Sequence, residues 1–135
     1  MRAPAFAAVF ALMASSALAA DPVEGEWLTQ AGTAKVRISP CAAKPDRICG
    51  LVTWMQTPSN DTRNPNAALR SKPIVGSALI RDFKQAGPGR WNGGKIYNPE
   101  DGKTYDSKIS LNANGTLKVE GCILMVCQAQ TWRRS

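Results

Sequence analysis

The side chains able to do chemistry in this chain are few. There is no histidine, which removes the commonest general base, the usual Ser–His and Cys–His pairs and the commonest metal ligand. The four cysteines, Cys41, Cys49, Cys122 and Cys127, read as disulfides and so are not nucleophiles. Four cysteines allow three connectivities. Closeness in sequence favours Cys41–Cys49 and Cys122–Cys127, each flanking a turn, and loops this short contribute roughly 2–3 kcal/mol each in the chain-entropy model. Zinc is the rival use of four cysteines, but no spacing is Cys-x-x-Cys. Neither a metal nor a cofactor is expected.

The remaining polar groups form no catalytic constellation. Glu100 and Asp101 are adjacent on an exposed turn, where both are solvated and neither is tuned as an acid or base. The run Asn98-Pro99-Glu100-Asp101-Gly102 lacks the spacing of a calcium loop and has the residues of a tight turn. Gly93-Gly94 is followed by no helix, so it is no phosphate fingerprint. A non-enzymatic role is therefore expected, with an enzyme built on Asp61 and a Tyr or Lys as a distant third reading. For binding, the candidates are Trp54, Asp61, Asn64, Trp91, Tyr97 and Tyr105. Asp61 and Asn64 lie in a long polar stretch, where Asp61 is either an Asx-type turn or a polar anchor at a pocket mouth. The four aromatic residues either pack a core or line an apolar pocket.

The elements that must position these residues read as strands. Glu26–Gln30 is a first strand. Ala34–Ser39 alternates Val36 and Ile38 with Lys35 and Arg37, and Pro40 ends it. Gly50–Gln56 is rich in Val, Thr and Trp. Thr57–Ser71 carries turn formers and one helical turn near Asn66–Arg70, and a loop of that length is often functional. Ile74–Val75 and Ala78–Lys84 read as strand interrupted at Gly76, followed by Arg90–Tyr97. In Lys103–Leu111, Tyr105, Ser107, Ile109 and Leu111 share one face. Asn112-Ala113-Asn114-Gly115 is a hairpin turn before the last strands, Thr116–Cys122 and Cys127–Arg133. The fold class is all-β: one antiparallel meander barrel of roughly eight strands with little helix. A barrel of that size can hold one small ligand. Ile123-Leu124-Met125-Val126 sits where a hairpin tip should be polar. It either folds over a barrel end, the favoured reading, or touches a membrane or partner.

The start of the chain reads as a cleavable signal peptide over residues 1–20: Arg2, an apolar run from Ala3 to Leu18, then small residues before Asp21. Cutting after Ala19 or after Ala20 fits equally. The run falls short of the roughly 20 residues of a membrane span, so the chain is not expected to be transmembrane once cut. No twin arginine is present, which points to the general secretory route and a periplasmic or secreted location. Residues 21–135 then form a single domain. The whole chain has seventeen Lys and Arg against ten Asp and Glu, so losing Arg2 leaves +6. The basic residues are scattered singly, as solubility alone requires, and they also suit an envelope lipid or other polyanion. No nucleic-acid partner is expected outside the cytoplasm.

Several residues line up with a known family. They are Gly25-Glu26-Trp27, Cys49-Gly50, Asp61, Asn64-Pro65, the run Trp91 to Tyr105, Gly121-Cys122, and Gln130-Thr131-Trp132-Arg133-Arg134. Together they resemble the bacterial exported family catalogued as domain of unknown function 2147, which carries no established activity. A looser likeness is to lipocalin-like (calycin) barrels. These have Gly-x-Trp on the first strand and an Arg near the end of the last, stacked across the closed end. The likeness implies that Trp27 and Arg134, with Arg133 as the alternative, are a structural pair. A small apolar or amphipathic ligand is the partner these readings favour. A cell-envelope interaction protein, using the basic surface or the 123–126 tip, is the alternative.

Overall fold

A computed structural model describes residues 2–5, 7–8 and 20–135. Residues 1, 6 and 9–19, which hold most of the apolar run assigned to the signal peptide, lie outside the described residues. Eight strands run up and down in sequence order: β1 (Gly25–Leu28), β2 (Ala34–Pro40), β3 (Arg47–Met55), β4 (Ala78–Gly87), β5 (Arg90–Asn98), β6 (Lys103–Leu111), β7 (Leu117–Ile123) and β8 (Val126–Arg134). Each pairs antiparallel with the next, and β1 pairs with β8 through Trp27↔Arg134 and Leu28↔Arg133 to close the barrel. The all-β meander expected from the alternation is the fold found. A single helical turn, Ala67–Leu69, capped by the Asn66 side chain, lies in the β3–β4 loop. Ile74–Val75, which the sequence suggested as strand, is loop; only Asn60↔Pro73 bridges there, because Gly76 and the Ser77 side chain turn the chain. Among the described residues no helix is long and apolar enough to cross a membrane.

The two ends of the barrel differ. At the end where the chain enters, Val23 is fully buried. The Asp21 carboxylate accepts from the Val23 N–H at 3.0 Å and from Gln85 Nε2 at 3.0 Å, tying the entering segment across the opening. Trp27 Nε1 donates to the Val23 carbonyl at 2.8 Å. The Arg134 guanidinium lies 4.0 Å over the Trp27 ring and donates to the Glu24 carbonyl at 2.7 Å and to that of Pro22. Gly25 makes room for it: a Cβ there would stand 2.6 Å from Arg134 Nη1, and its φ of +124° disfavours any other residue. The Gly-x-Trp motif is thus a sterically defined seat for one arginine.

Above this plug the barrel is filled by Val36, Ile38, Ile48, Ile80, Phe83, Trp91, Ile109 and Leu117. The packing uses absent side chains. A Cβ on Gly94 would lie 2.3 Å from the Phe83 ring, and one on Gly50 2.6 Å from Ile80. These two inward-facing glycines let large residues from the neighbouring strand cross the barrel. The filling stops about halfway along the strands. The other end, which carries the β1–β2, β3–β4, β5–β6 and β7–β8 connections, is left hollow.

Candidate functional site

The hollow end is a cavity of about 1250 Å³. Its inner wall is apolar, from Val52, Met55, Leu79, Ile96, Val119 and Trp132. Its rim is polar, from Gln30, Gln56, Arg63, Asn98, Gln128 and Gln130. The side chains reach it by period-2 alternation. On β8, Val126, Gln128, Gln130 and Trp132 point to one face, and all four line the cavity. On β7 the matching face carries Val119, Gly121 and Ile123. Gly121 matters because it has no side chain: a Cβ there would meet nothing closer than Ile96 at 3.5 Å. Its backbone leaves open space that a larger residue would fill.

A β-bulge decides which aromatic residue sees the cavity. Lys35 pairs with Trp54 but Val36 pairs with Val52, so Thr53 is an extra residue on β3. Val52 faces in, and beyond the bulge the alternation is reversed. Met55 lines the cavity, whereas Trp54 faces out, 40% exposed, with Lys35 Nζ 5.4 Å from its ring. Trp54 therefore does not line the site. Trp91 does not either: it is buried in the filled half, opposite Ile109 on β6.

Tyr97 and Tyr105 do line the cavity. Both are tied to acids. Tyr97 Oη donates to Asp61 Oδ1 at 2.6 Å, and Asn64 Nδ2 donates to Asp61 Oδ2 at 2.8 Å. Asp61 is buried and stands behind the wall, so neither it nor Asn64 faces the cavity. Their role is to fasten the β3–β4 loop to β5. Burial, then the bond to Asp61, pushes the Tyr97 phenol up to about 12. Tyr105 Oη donates to the Asp101 carboxylate; this bond holds Asp101 below its ordinary range and raises the Tyr105 phenol.

The same loop is knitted internally. The Asp61 N–H donates to the Lys72 carbonyl at 2.9 Å, and the Ile74 N–H to that of Ser59 at 3.0 Å. Arg70 Nε donates to the Asn64 carbonyl at 2.8 Å. Arg63 donates to the Glu100 carbonyl in the β5–β6 turn. Gly102, at φ +72°, fits under the loop because a Cβ there would overlap the Arg63 carbonyl at 2.0 Å. The long loop is thus a fixed wall of the mouth.

Of the six candidates from the sequence, two line the cavity, two anchor its wall, one faces solvent and one lies in the core. Among the residues missed were Val52, Met55, Leu79, Ile96, Val119, Gly121 and Trp132. The signal for one of them was present: inward positions on β7 and β8 carry Gly121, Gln128 and Gln130 where a filled barrel would carry apolar bulk.

Both disulfides join the pairs closest in sequence, Cys41–Cys49 and Cys122–Cys127. The first fastens β3 to the chain just after β2. The second crosses the β7–β8 hairpin beside the mouth. At that hairpin Leu124 and Met125 are 91% and 97% exposed. The tip therefore does not fold over the barrel end, contrary to the favoured expectation, because a two-residue loop between paired Ile123 and Val126 is too short to turn back.

Residues 25–134 match the family model described as an uncharacterized protein conserved in bacteria, DUF2147. No curated protein matches. Among solved structures the chain is similar to Helicobacter pylori HP1028, a protein described as belonging to the lipocalin family. The TM-score is 0.74 at 24% identity, over 83% of this chain and 82% of that one. That likeness concerns the fold: a lipocalin-like barrel.

Proposed function

The chain belongs to the bacterial DUF2147 family, and from that premise we propose that it is an exported, non-enzymatic carrier of a small amphipathic molecule. One observation carries this reading: the barrel is filled in its closed half and hollow in its open half, with an apolar inner wall under a polar rim. A molecule with an apolar body and a polar end matches that gradient. Its body displaces water from Val52, Ile96, Val119 and Trp132, which is worth roughly 25 cal/mol per Å² of apolar area covered. Its polar end stays among the rim amides and Arg63, within reach of solvent.

A carrier is favoured over an enzyme by the state of the polar groups. Asp61 accepts from Tyr97 and Asn64, and a phenol pushed up to about 12 is a poor base near neutral pH. Export to the periplasm through a cleaved signal peptide is supported by the two disulfides, which persist in oxidising compartments.

The test is native mass spectrometry of the protein from its own periplasm, alongside titration with a fluorescent fatty amphiphile such as dansyl-undecanoate. The wild-type protein is expected to carry a bound small molecule or to take up the probe. Gly121→Phe, which fills the cavity from β7, is expected to reduce uptake at least about tenfold, the equivalent of 1.4 kcal/mol, while keeping its melting temperature. Probe uptake unaffected by Gly121→Phe, or a wild-type protein that takes up nothing, would sink the proposal.

A further inference from the structure

The tip of the β7–β8 hairpin is a run of four apolar residues that nothing in the protein covers. Ile123, Leu124, Met125 and Val126 are 62%, 91%, 97% and 74% exposed. The tip is stiff: Cys122–Cys127 crosses the hairpin at its base, and Ile123 pairs with Val126. Leu124 has φ 53° at the first position of a two-residue hairpin loop, where glycine is the usual choice. An asparagine or glycine would suit both the backbone and the water around it. The sequence instead holds a leucine there against local strain.

The position of the tip is equally specific. Ile123 and Val126 also line the cavity, so the exposed apolar surface continues into the apolar wall. On its outer side lies a shallow hollow bordered by Lys95, Lys103, Tyr105 and Leu124. Lys95 is paired with Asp106; Lys103 makes no salt bridge among the described residues, although its charge helps hold the Asp101 carboxyl below its ordinary range. The chain as a whole carries +7.

We propose that the tip inserts into the headgroup and upper acyl region of an anionic lipid bilayer and so sets the mouth of the cavity against the membrane. A bilayer receives a protruding apolar knob of any shape, to a depth of about 5–10 Å. A protein partner would need a complementary groove and roughly 800 Å² of its surface to hold it. Lys103 and the positive charge of the chain draw the protein to anionic headgroups. The inference stands on the tip itself and does not require the carrier reading. If both hold, an amphiphile passes between bilayer and cavity without crossing open water.

The test is co-sedimentation of the disulfide-intact protein with vesicles of phosphatidylethanolamine and phosphatidylglycerol, and with vesicles of phosphatidylcholine alone. The wild-type protein is expected to bind the anionic vesicles, and more strongly than the neutral ones. The double variant Leu124→Asn, Met125→Ser is expected to bind at least about tenfold more weakly, with a melting temperature equal to or above wild type because its loop suits the turn. Gly121→Phe is expected to bind vesicles like wild type, which separates loss of docking from loss of cargo. Equal binding by the tip variant, equal binding to neutral vesicles, or no vesicle binding at all overturns the proposal. So does a concentration-dependent dimer that only the tip variant loses, since that gives the tip to a second copy.

Discussion

At the scale of single residues, the pair that holds the mouth in shape is Tyr97 and Asp61. The phenol donates at 2.6 Å to a buried carboxylate whose other oxygen is taken by Asn64. Tyr97→Phe leaves that carboxylate oxygen without its partner, at a cost of about 1–3 kcal/mol. The melting temperature should fall by about 4–8 °C for each kcal/mol, and proteolysis within residues 57–77 should quicken. The pH dependence follows from the same bond. Burial and the bond raise the folded phenol to about 12, above its unfolded value of roughly 10. A raised value means that this contribution is whole below the unfolded pKa and is lost as pH climbs through the folded one. Absorbance titration of the two tyrosines, Tyr97 and Tyr105, should therefore show both ionising late. In Tyr97→Phe only the Tyr105 step should remain, and a phenol titrating near 10 in the wild type would contradict the geometry.

At the scale of elements, the governing feature is the extra residue in β3. Thr53 reverses the alternation, so Trp54 faces out and Met55 faces in. Of the four tryptophans, Trp27, Trp91 and Trp132 are buried and Trp54 alone is open to solvent. Acrylamide should quench a single tryptophan component in the wild type. Deleting Thr53 removes the bulge but leaves Trp54 opposite Lys35 and Met55 opposite Ala34, so Trp54 should stay outward and that component should remain open to quenching. The bulge also explains what the sequence hid. Strands with steady alternation, such as Lys103–Leu111, were legible because the period-2 pattern is continuous. The assignment of Trp54 to the cavity failed because a bulge leaves no mark in composition. Trp91 was misplaced for another reason: alternation tells inside from outside but not the filled half from the hollow half. That division depends on glycines on neighbouring strands, where Gly94 admits Phe83 and Gly121 admits nothing. Asp61 was legible as important, yet its partner Tyr97 is 36 residues away, beyond any local pattern.

At the scale of the whole molecule, the two ends of the barrel have separate tasks. Packing and closure sit at the end where the chain enters, and capacity sits at the other. Arg134→Ala removes the guanidinium from the Trp27 ring and from two backbone carbonyls. Stacking alone is worth about 0.5–2 kcal/mol, and each hydrogen bond about 1 kcal/mol, so urea denaturation should show a loss of about 2.5–4 kcal/mol. Arg134→Lys should recover only part of it, because an ammonium cannot stack and fork at once. Arg133→Ala, on an exposed position opposite Leu28, should change stability by no more than about 0.5 kcal/mol. Ligand uptake by folded Arg134→Ala should match wild type, since the cavity is at the far end.

The seam between β1 and β8 also bears on how the molecule is made. It joins residues 27 and 28 to residues 133 and 134, so its two halves are the first and last parts of the barrel to leave the ribosome. Closure is the most non-local event in the fold, and such contacts form late. Until Arg134 has been synthesised the growing sheet has an open edge and no seat for Trp27, and it cannot reach its final shape. A nascent chain in that condition has not yet closed its barrel. Closure of the barrel therefore waits on β8, the last of its strands to be made.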